Sequence, residues 1–213
     1  MNFNTNNTNL MSQDSRALTA SSLNSQASTL SPLHPWYVSG FVDGEGSFTI
    51  SITKNKRKTE GWRIGARFAV EISKSDALLL YRLKSYFGVG TIIENPINRT
   101  LIYSVQSVKA LVDVVIPHFT KYPLKTQKQA DFSLFKAALE LVSKKEHLNT
   151  EGVIKVISIK GSLNKGLSPA LVECFPNVIP IERPVVQLSE NIDPNWIVGF
   201  TDAVRRPGVF QFQ

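Results

Sequence analysis

Val38-Ser39-Gly40-Phe41-Val42-Asp43-Gly44-Glu45-Gly46-Ser47-Phe48, entered through Pro35-Trp36, is the stretch that decides the fold. Pro35 suits a first helical position, where a missing N–H leaves no bond unmade. The run that follows predicts about three helical turns, ending in Asp-Gly-Glu-Gly before an alternating strand. Gly40 and Gly44 stand four apart on one helix face, and each costs roughly 1 kcal/mol of helix propensity against alanine. Two glycines on one face lift the Cβ barrier and let a second backbone come close. Glu45 falls at the negative end of the helix dipole, where a carboxylate is disfavoured unless it is exposed or holds a cation.

The pattern returns at Pro194-Asn195-Trp196-Ile197-Val198-Gly199-Phe200-Thr201-Asp202-Ala203. Aligned on Gly-Phe, Gly40 pairs with Gly199, Gly44 with Ala203, Asp43 with Asp202 and Pro35 with Pro194. Two such helices can pack through Gly40, Gly44, Gly199 and Ala203 about a pseudo-twofold axis. On these residues the chain resembles the LAGLIDADG homing endonucleases, whose two signature helices form the interface between two similar half-domains.

Between the two copies the patterning is that of an α+β half-domain. Ser47 to Thr53 alternates, with Phe48, Ile50 and Ile52 on one side and Ser47, Thr49, Ser51 and Thr53 on the other. Lys54, Lys56, Arg57 and Lys58 make a basic hairpin loop. The return strand, 63–73, turns Ile64, Ala66, Phe68, Val70 and Ile72 inward and Arg63, Gly65, Arg67, Ala69 and Glu71 outward. A helix from Ser75-Asp76 to Phe87 stops at Gly88. Two further strands, 89–94 and 101–106, flank a turn at Asn95-Pro96-Ile97-Asn98, the second with Ser104 and Gln106 outward. Ser107 caps a helix that Pro117 should end or kink. A long helix from Thr126 carries the apolar stripe Phe132, Phe135, Leu139 and Val142. The resulting division is a disordered Asn/Ser/Thr/Gln-rich leader (1–33), a first half-domain of order α-β-β-α-β-β-α-α (34–143), a helical segment packed on it (144–176), a linker (177–192), and the start of a second repeat (193–213). Tyr122-Pro123-Leu124-Lys125-Thr126-Gln127-Lys128 and Ile159-Lys160-Gly161-Ser162-Leu163-Asn164-Lys165-Gly166-Leu167 also look like fungal two-repeat members, extending the resemblance over 34–203.

Composition agrees with a polyanionic partner. The 213 residues hold 24 Lys and Arg against 17 Asp and Glu, a formal charge of +7. The single cysteine, Cys174, excludes an intrachain disulfide and a paired-cysteine zinc site. The three histidines lack ligand spacing, and no apolar run approaches the roughly 20 residues that cross a bilayer. No membrane partner is expected. The leader has one basic residue, Arg16, so no mitochondrial presequence is read. The resemblance implies an organelle-encoded, mitochondrial protein that would need none.

The resemblance also implies the chemistry. Each signature helix of the family supplies one acidic residue, and the two meet near the DNA minor groove, where a divalent ion neutralises charge on the phosphate. Here Glu45 is the implied catalytic and metal-binding carboxylate, the Gly44 carbonyl a further oxygen ligand, and Mg²⁺ the expected ion. Asp43 is expected to play a local structural part. Lys125 and Lys128 are the candidates to approach the scissile phosphate. Double-stranded DNA is expected along Ser47, Thr49, Ser51, Thr53, Lys54, Lys56, Arg57, Lys58, Arg63, Arg67, Glu71, Ser104 and Gln106. Val204 stands where the second copy should carry its acidic residue, and nine residues later the sequence given ends at Gln213. The expectation is a second repeat truncated after its helix and impaired in double-strand cleavage, a monomer unless two copies pair through Gly40 and Gly44. The alternative reading is an RNA-binding maturase acting on its host intron, or a DNA-binding remnant without catalysis.

Overall fold

The computed structural model describes residues 19–55, 61–187 and 191–204. Helix α1 (Ala20–Thr29) precedes α2 (Pro35–Glu45), the first signature helix, which enters with Pro35 at its start. α2 runs directly into β1 (Gly46–Lys54), where burial alternates residue by residue as the sequence does. β2 (Trp62–Ser73) returns antiparallel, with Phe48 opposite Phe68 and Thr49 opposite Arg67. α3 (Ala77–Phe87) ends at Gly88, whose φ of 67° belongs to the left-handed region that glycine adopts without strain. β3 (Thr91–Asn95) and β4 (Thr100–Val105) complete one antiparallel sheet in the order β1-β2-β4-β3.

The next helix begins as α4 (Val108–Ala110), capped by the Ser107 hydroxyl accepting the Ala110 N–H. A π turn over Leu111–Val115 leads into α5 (Ile116–Lys121). Pro117 has no N–H for the Asp113 carbonyl, and the ladder absorbs that loss by a wider turn in which Ile116 N–H reaches Leu111. The helix therefore continues through the proline. α6 (Lys128–Ser143) packs on β1 and β2, α7 (Thr150–Ser162) and α8 (Pro169–Cys174) follow, and α9 (Pro194–Val204) is the second signature helix.

Among the described residues, α2, α3 and α6 pack on the inward sheet face, with α1 on α3, α7 on α6 and α9 on α2. The core there centres on Phe48, whose ring centroid lies 5.3 Å from Phe68 and 5.4 Å from each of Phe119, Phe132 and Phe135. Each such ring contributes roughly 1.5–3 kcal/mol through burial, with edge-to-face contacts adding to it. The stripe Phe132, Phe135, Leu139 and Val142 is buried as the periodicity required.

Two stretches differ from their sequence reading. The leader assigned to 1–33 contains α1, opened by the Thr19 side chain accepting the Ser22 N–H, with Leu23, Ala27 and Leu33 buried against α3. Residues 1–18 lie outside the described residues. The linker, over its described part, is a strap laid on α7: Ile181 N–H donates to the Ser158 carbonyl, while Ser158 and Ser162 hydroxyls donate to the Ile179 and Ile181 carbonyls. Gly161 makes room for it, because a Cβ there would stand 2.8 Å from Pro180. Arg183 then clasps the strap to α6, donating to Asp131 at 2.8 Å and to the Ser162 and Gln127 carbonyls.

Candidate nucleic-acid interface and hydrolytic centre

The two signature helices pack backbone to backbone. A Cβ on Gly40 would press on the Trp196 carbonyl, with its carbon at 2.8 Å and Phe200 N at 2.9 Å. A Cβ on Gly199 would meet the Tyr37 carbonyl carbon and Phe41 N, each at 2.9 Å. Tyr37 and Phe41 occupy in α2 the positions that Trp196 and Phe200 occupy in α9, so the contact is its own mirror about a local twofold. Gly44 faces Ala203, whose methyl takes the space that a Cβ there would need. Two hydrogen bonds repeat the symmetry: Trp196 Nε1 donates to Asp43 at 2.9 Å, and the Tyr37 hydroxyl donates to Asp202 at 2.9 Å. These crossed bonds were not read from the sequence, although Trp196 and Tyr37 share a repeat position.

Asp43 is saturated. Besides Trp196 it accepts the Lys125 N–H at 2.7 Å and the Thr126 hydroxyl at 2.6 Å, tying α2, α9 and the start of α6 together. Its structural assignment holds, and Thr126 joins it as a residue that sequence reasoning missed. The two lysines part company here. With its N–H spent on Asp43, Lys125 lays its ammonium 5.2 Å from the Trp36 ring centroid, towards the opposite end of α2. Lys128 instead turns its ammonium onto the C-terminal end, donating to the Val42 and Gly44 carbonyls at 3.0 and 3.1 Å. Burial pushes the Lys128 ammonium down to about 8, against the pull of Asp43, Glu45 and Asp131. This cation offsets the unfavourable dipole at Glu45 and answers how a carboxylate is tolerated there.

The donor set fits a hard divalent ion only in part. Glu45 offers a carboxylate, and the Gly44 carbonyl already accepts from a cation, the Lys128 ammonium. No group of three or more Asp, Glu, His or Cys capable of holding a metal occurs among the described residues. Val204, beside Ala203 at the end of α9, adds no oxygen from its side chain. Remaining ligands would come from phosphate and water.

The register fixes the outward sheet face in rows. Thr53 pairs with Arg63, Ser51 with Gly65, Thr49 with Arg67, then Ser47–Ala69–Ser104–Thr91, Glu71–Ile102–Ile93 and Ser73–Thr100–Asn95. Ser47, Thr49, Ser51, Thr53, Arg63, Glu71 and Gln106 are exposed and Arg67 is half-buried. Ser104 is a correction. It lies on this face, but between Ala69 and Thr91 on the two flanking strands it is only 2% exposed and closed to a ligand. Lys54 ends β1 with its ammonium 5.8 Å from the Trp62 ring, while Lys56, Arg57 and Lys58 lie outside the described residues. Thr91, Ile93, Asn95, Thr100 and Ile102 also belong to this face and were missed, because a strand edge gives no signal of its partner's register.

Behind the site, a buried polar relay seats α2. The Ser39 hydroxyl donates to the Tyr122 carbonyl at 2.7 Å, so its lone pair accepts from His118 Nε2 at 3.3 Å. His118 Nδ1 then accepts from the Tyr86 hydroxyl at 3.1 Å. Burial pushes the His118 imidazole down to about 4 from 6.5 and the Tyr86 phenol up to about 12. The sign follows directly. Below pH 6.5 the unfolded chain takes a proton that folded His118 refuses until about pH 4. Stability from this group is complete above pH 6.5 and falls through that window, by about 3 kcal/mol at most. Urea denaturation at a series of pH values checks this, with His118→Asn expected to flatten the window's slope.

Comparison with known proteins agrees with this geometry. A sequence model of the family described as LAGLIDADG endonuclease matches residues 38–139. The probable intron-encoded endonuclease 3 of Neurospora crassa is 43% identical over 173 residues, which are 80% of this chain and 32% of that protein. The meganuclease I-SmaMI bound to uncleaveable DNA superposes with a TM-score of 0.79 and 42% identity, over 81% of this chain and 59% of that one. I-SmaMI bound to uncleaved DNA target in the presence of calcium ions gives 0.78 and 43%, over 80% and 58%. The chain thus spans about a third of that curated relative and under three fifths of those structures.

Proposed function

We propose, on the premise that this chain belongs to the LAGLIDADG endonuclease family, that it binds double-stranded DNA along its outward sheet face and takes part in metal-dependent phosphodiester hydrolysis at the end of α2. The observation that carries this reading is the meeting of Glu45, the Gly44 carbonyl and the buried Lys128 ammonium at the helix-pair end that borders the sheet. The biological setting that fits is an intron-encoded homing endonuclease of a fungal mitochondrion.

Glu45 and the Gly44 carbonyl would hold the divalent ion, Mg²⁺ in our reading, which would supply charge neutralisation at the phosphate and a lowered pKa for water. The protein's own groups do the rest. The glycine contacts and the Asp43 and Asp202 bonds fix the two helix ends, so that Glu45 is presented rather than mobile. Lys128, its ammonium pushed down to about 8 by burial, stands near that carboxylate and supplies positive charge where the phosphate gains negative charge. Arg63 and Arg67, opposite Thr53 and Thr49, set the duplex against the sheet.

Binding to duplex DNA across a salt series tests the interface. Arg63→Glu with Arg67→Glu is expected to weaken binding and to lower the magnitude of the log K against log salt slope by about 2, one phosphate contact for each arginine. An unchanged slope would remove the sheet face from the DNA interface.

A further inference from the structure

We propose that Ile93 and Ile102 form a thymine-methyl reader at the β3–β4 edge of the sheet, an inference that rests on the DNA-binding reading above. The two side chains pair across the ladder on the outward face, where Ile93 is 51% exposed and Ile102 half-buried. Every other row of that face ends in polar or small residues, so an apolar pair here matches no feature of the phosphate backbone. The third member of the row is Glu71, directly opposite Ile102. A carboxylate repels phosphate, which places this row against base edges instead. Glu71 is held there: its Oε1 accepts from the Thr100 hydroxyl and, at 3.4 Å, from Asn95 Nδ2. The major groove presents one apolar group among its base edges, the thymine C5 methyl, and an isoleucine pair is shaped to cover it. The adjacent carboxylate accepts from a neighbouring cytosine amine and disfavours a carbonyl or N7 acceptor at the same place.

The test removes that methyl alone. Duplexes selected from a randomised library by the 213-residue chain are resynthesised with each thymine in turn replaced by deoxyuridine. One position is expected to lose about fourfold in affinity, the equivalent of about 0.8 kcal/mol for one buried methyl group. Ile93→Ser should bind the thymine and uracil duplexes equally, whereas Ile93→Val should keep the preference. Exposure of Ile93 makes both variants compatible with the fold, and circular dichroism checks this. Selected sites whose every thymine tolerates uracil overturn the methyl reader and leave the DNA interface standing. So does a uracil penalty that persists undiminished in Ile93→Ser. Failure to select any sequence overturns the DNA-binding reading, and this inference with it.

Discussion

Gly40→Val is expected to drive α9 off α2. A side chain at position 40 enters the Trp196 carbonyl and the Phe200 amide, and backbone atoms cannot rotate away as a side-chain tip can. Valine for glycine favours an isolated helix by a few tenths of a kcal/mol, so local propensity opposes the expected loss and is overruled by the clash. Undocking exposes Trp196, now 7% accessible, and breaks its bond to Asp43 and the Tyr37 bond to Asp202. Together these are worth about 3–5 kcal/mol, the range for removing a large buried aromatic residue. Red-shifted tryptophan emission and faster proteolysis near residues 191–193 would report it. Gly199→Val should do the same through Tyr37 and Phe41. Because either change separates the same pair of helices, the double variant should cost about as much as one. Additive losses would mean that the two contacts are independent, and an unshifted emission that α9 is held by its strap alone.

That interface was legible because helix period and glycine spacing are local signals, and because they occur twice. The α+β order was legible for the same reason: Phe48, Ile50 and Ile52 alternate, and Phe132 to Val142 recur at helical spacing. What escaped depends on three dimensions. Lys125 and Lys128 look equivalent in sequence, and only the Asp43 anchor sends one ammonium to Trp36 and the other to Gly44. Polar composition hid α1, since Leu23, Ala27 and Leu33 are too few to stand out among serines and threonines. Ser104 alternates correctly yet is buried, because alternation gives the face while the neighbouring strands, unseen in the sequence, set the exposure. The His118 relay joins Ser39, Tyr86 and Tyr122, each ordinary on its own element.

The largest effect is expected at the end of the helix pair. On the hydrolytic reading proposed above, Glu45→Gln should lower metal-dependent strand cleavage by about 10²–10³-fold, the scale seen when one preorganised group facing developing charge is removed. Lys128→Met should lose activity at Nζ while leaving DNA affinity within a few-fold, because this ammonium is buried against α2 rather than displayed on the sheet. Val204 holds in α9 the repeat position that Glu45 holds in α2, so the helix pair carries one carboxylate at these two positions. No specific double-strand break by a monomer of this sequence is therefore expected. Val204→Glu supplies the second carboxylate, and its physical signature precedes any assay of cutting. Two carboxylates side by side repel, so without metal the variant should melt below the parent. A divalent ion bridging them should reverse that, raising stability by about 2.7 kcal/mol at a hundred times its dissociation constant, whereas the parent should respond weakly. Melting curves at graded Mg²⁺ decide the matter. Equal Mg²⁺ dependence in parent and Val204→Glu would show that position 204 does not face the ion. Double-strand cutting by the parent that is second order in protein and lost in Glu45→Gln would instead pair two Glu45 residues across a homodimer, with each α9 displaced from its α2. Cutting that survives Glu45→Gln would take the chemistry away from this helix end altogether.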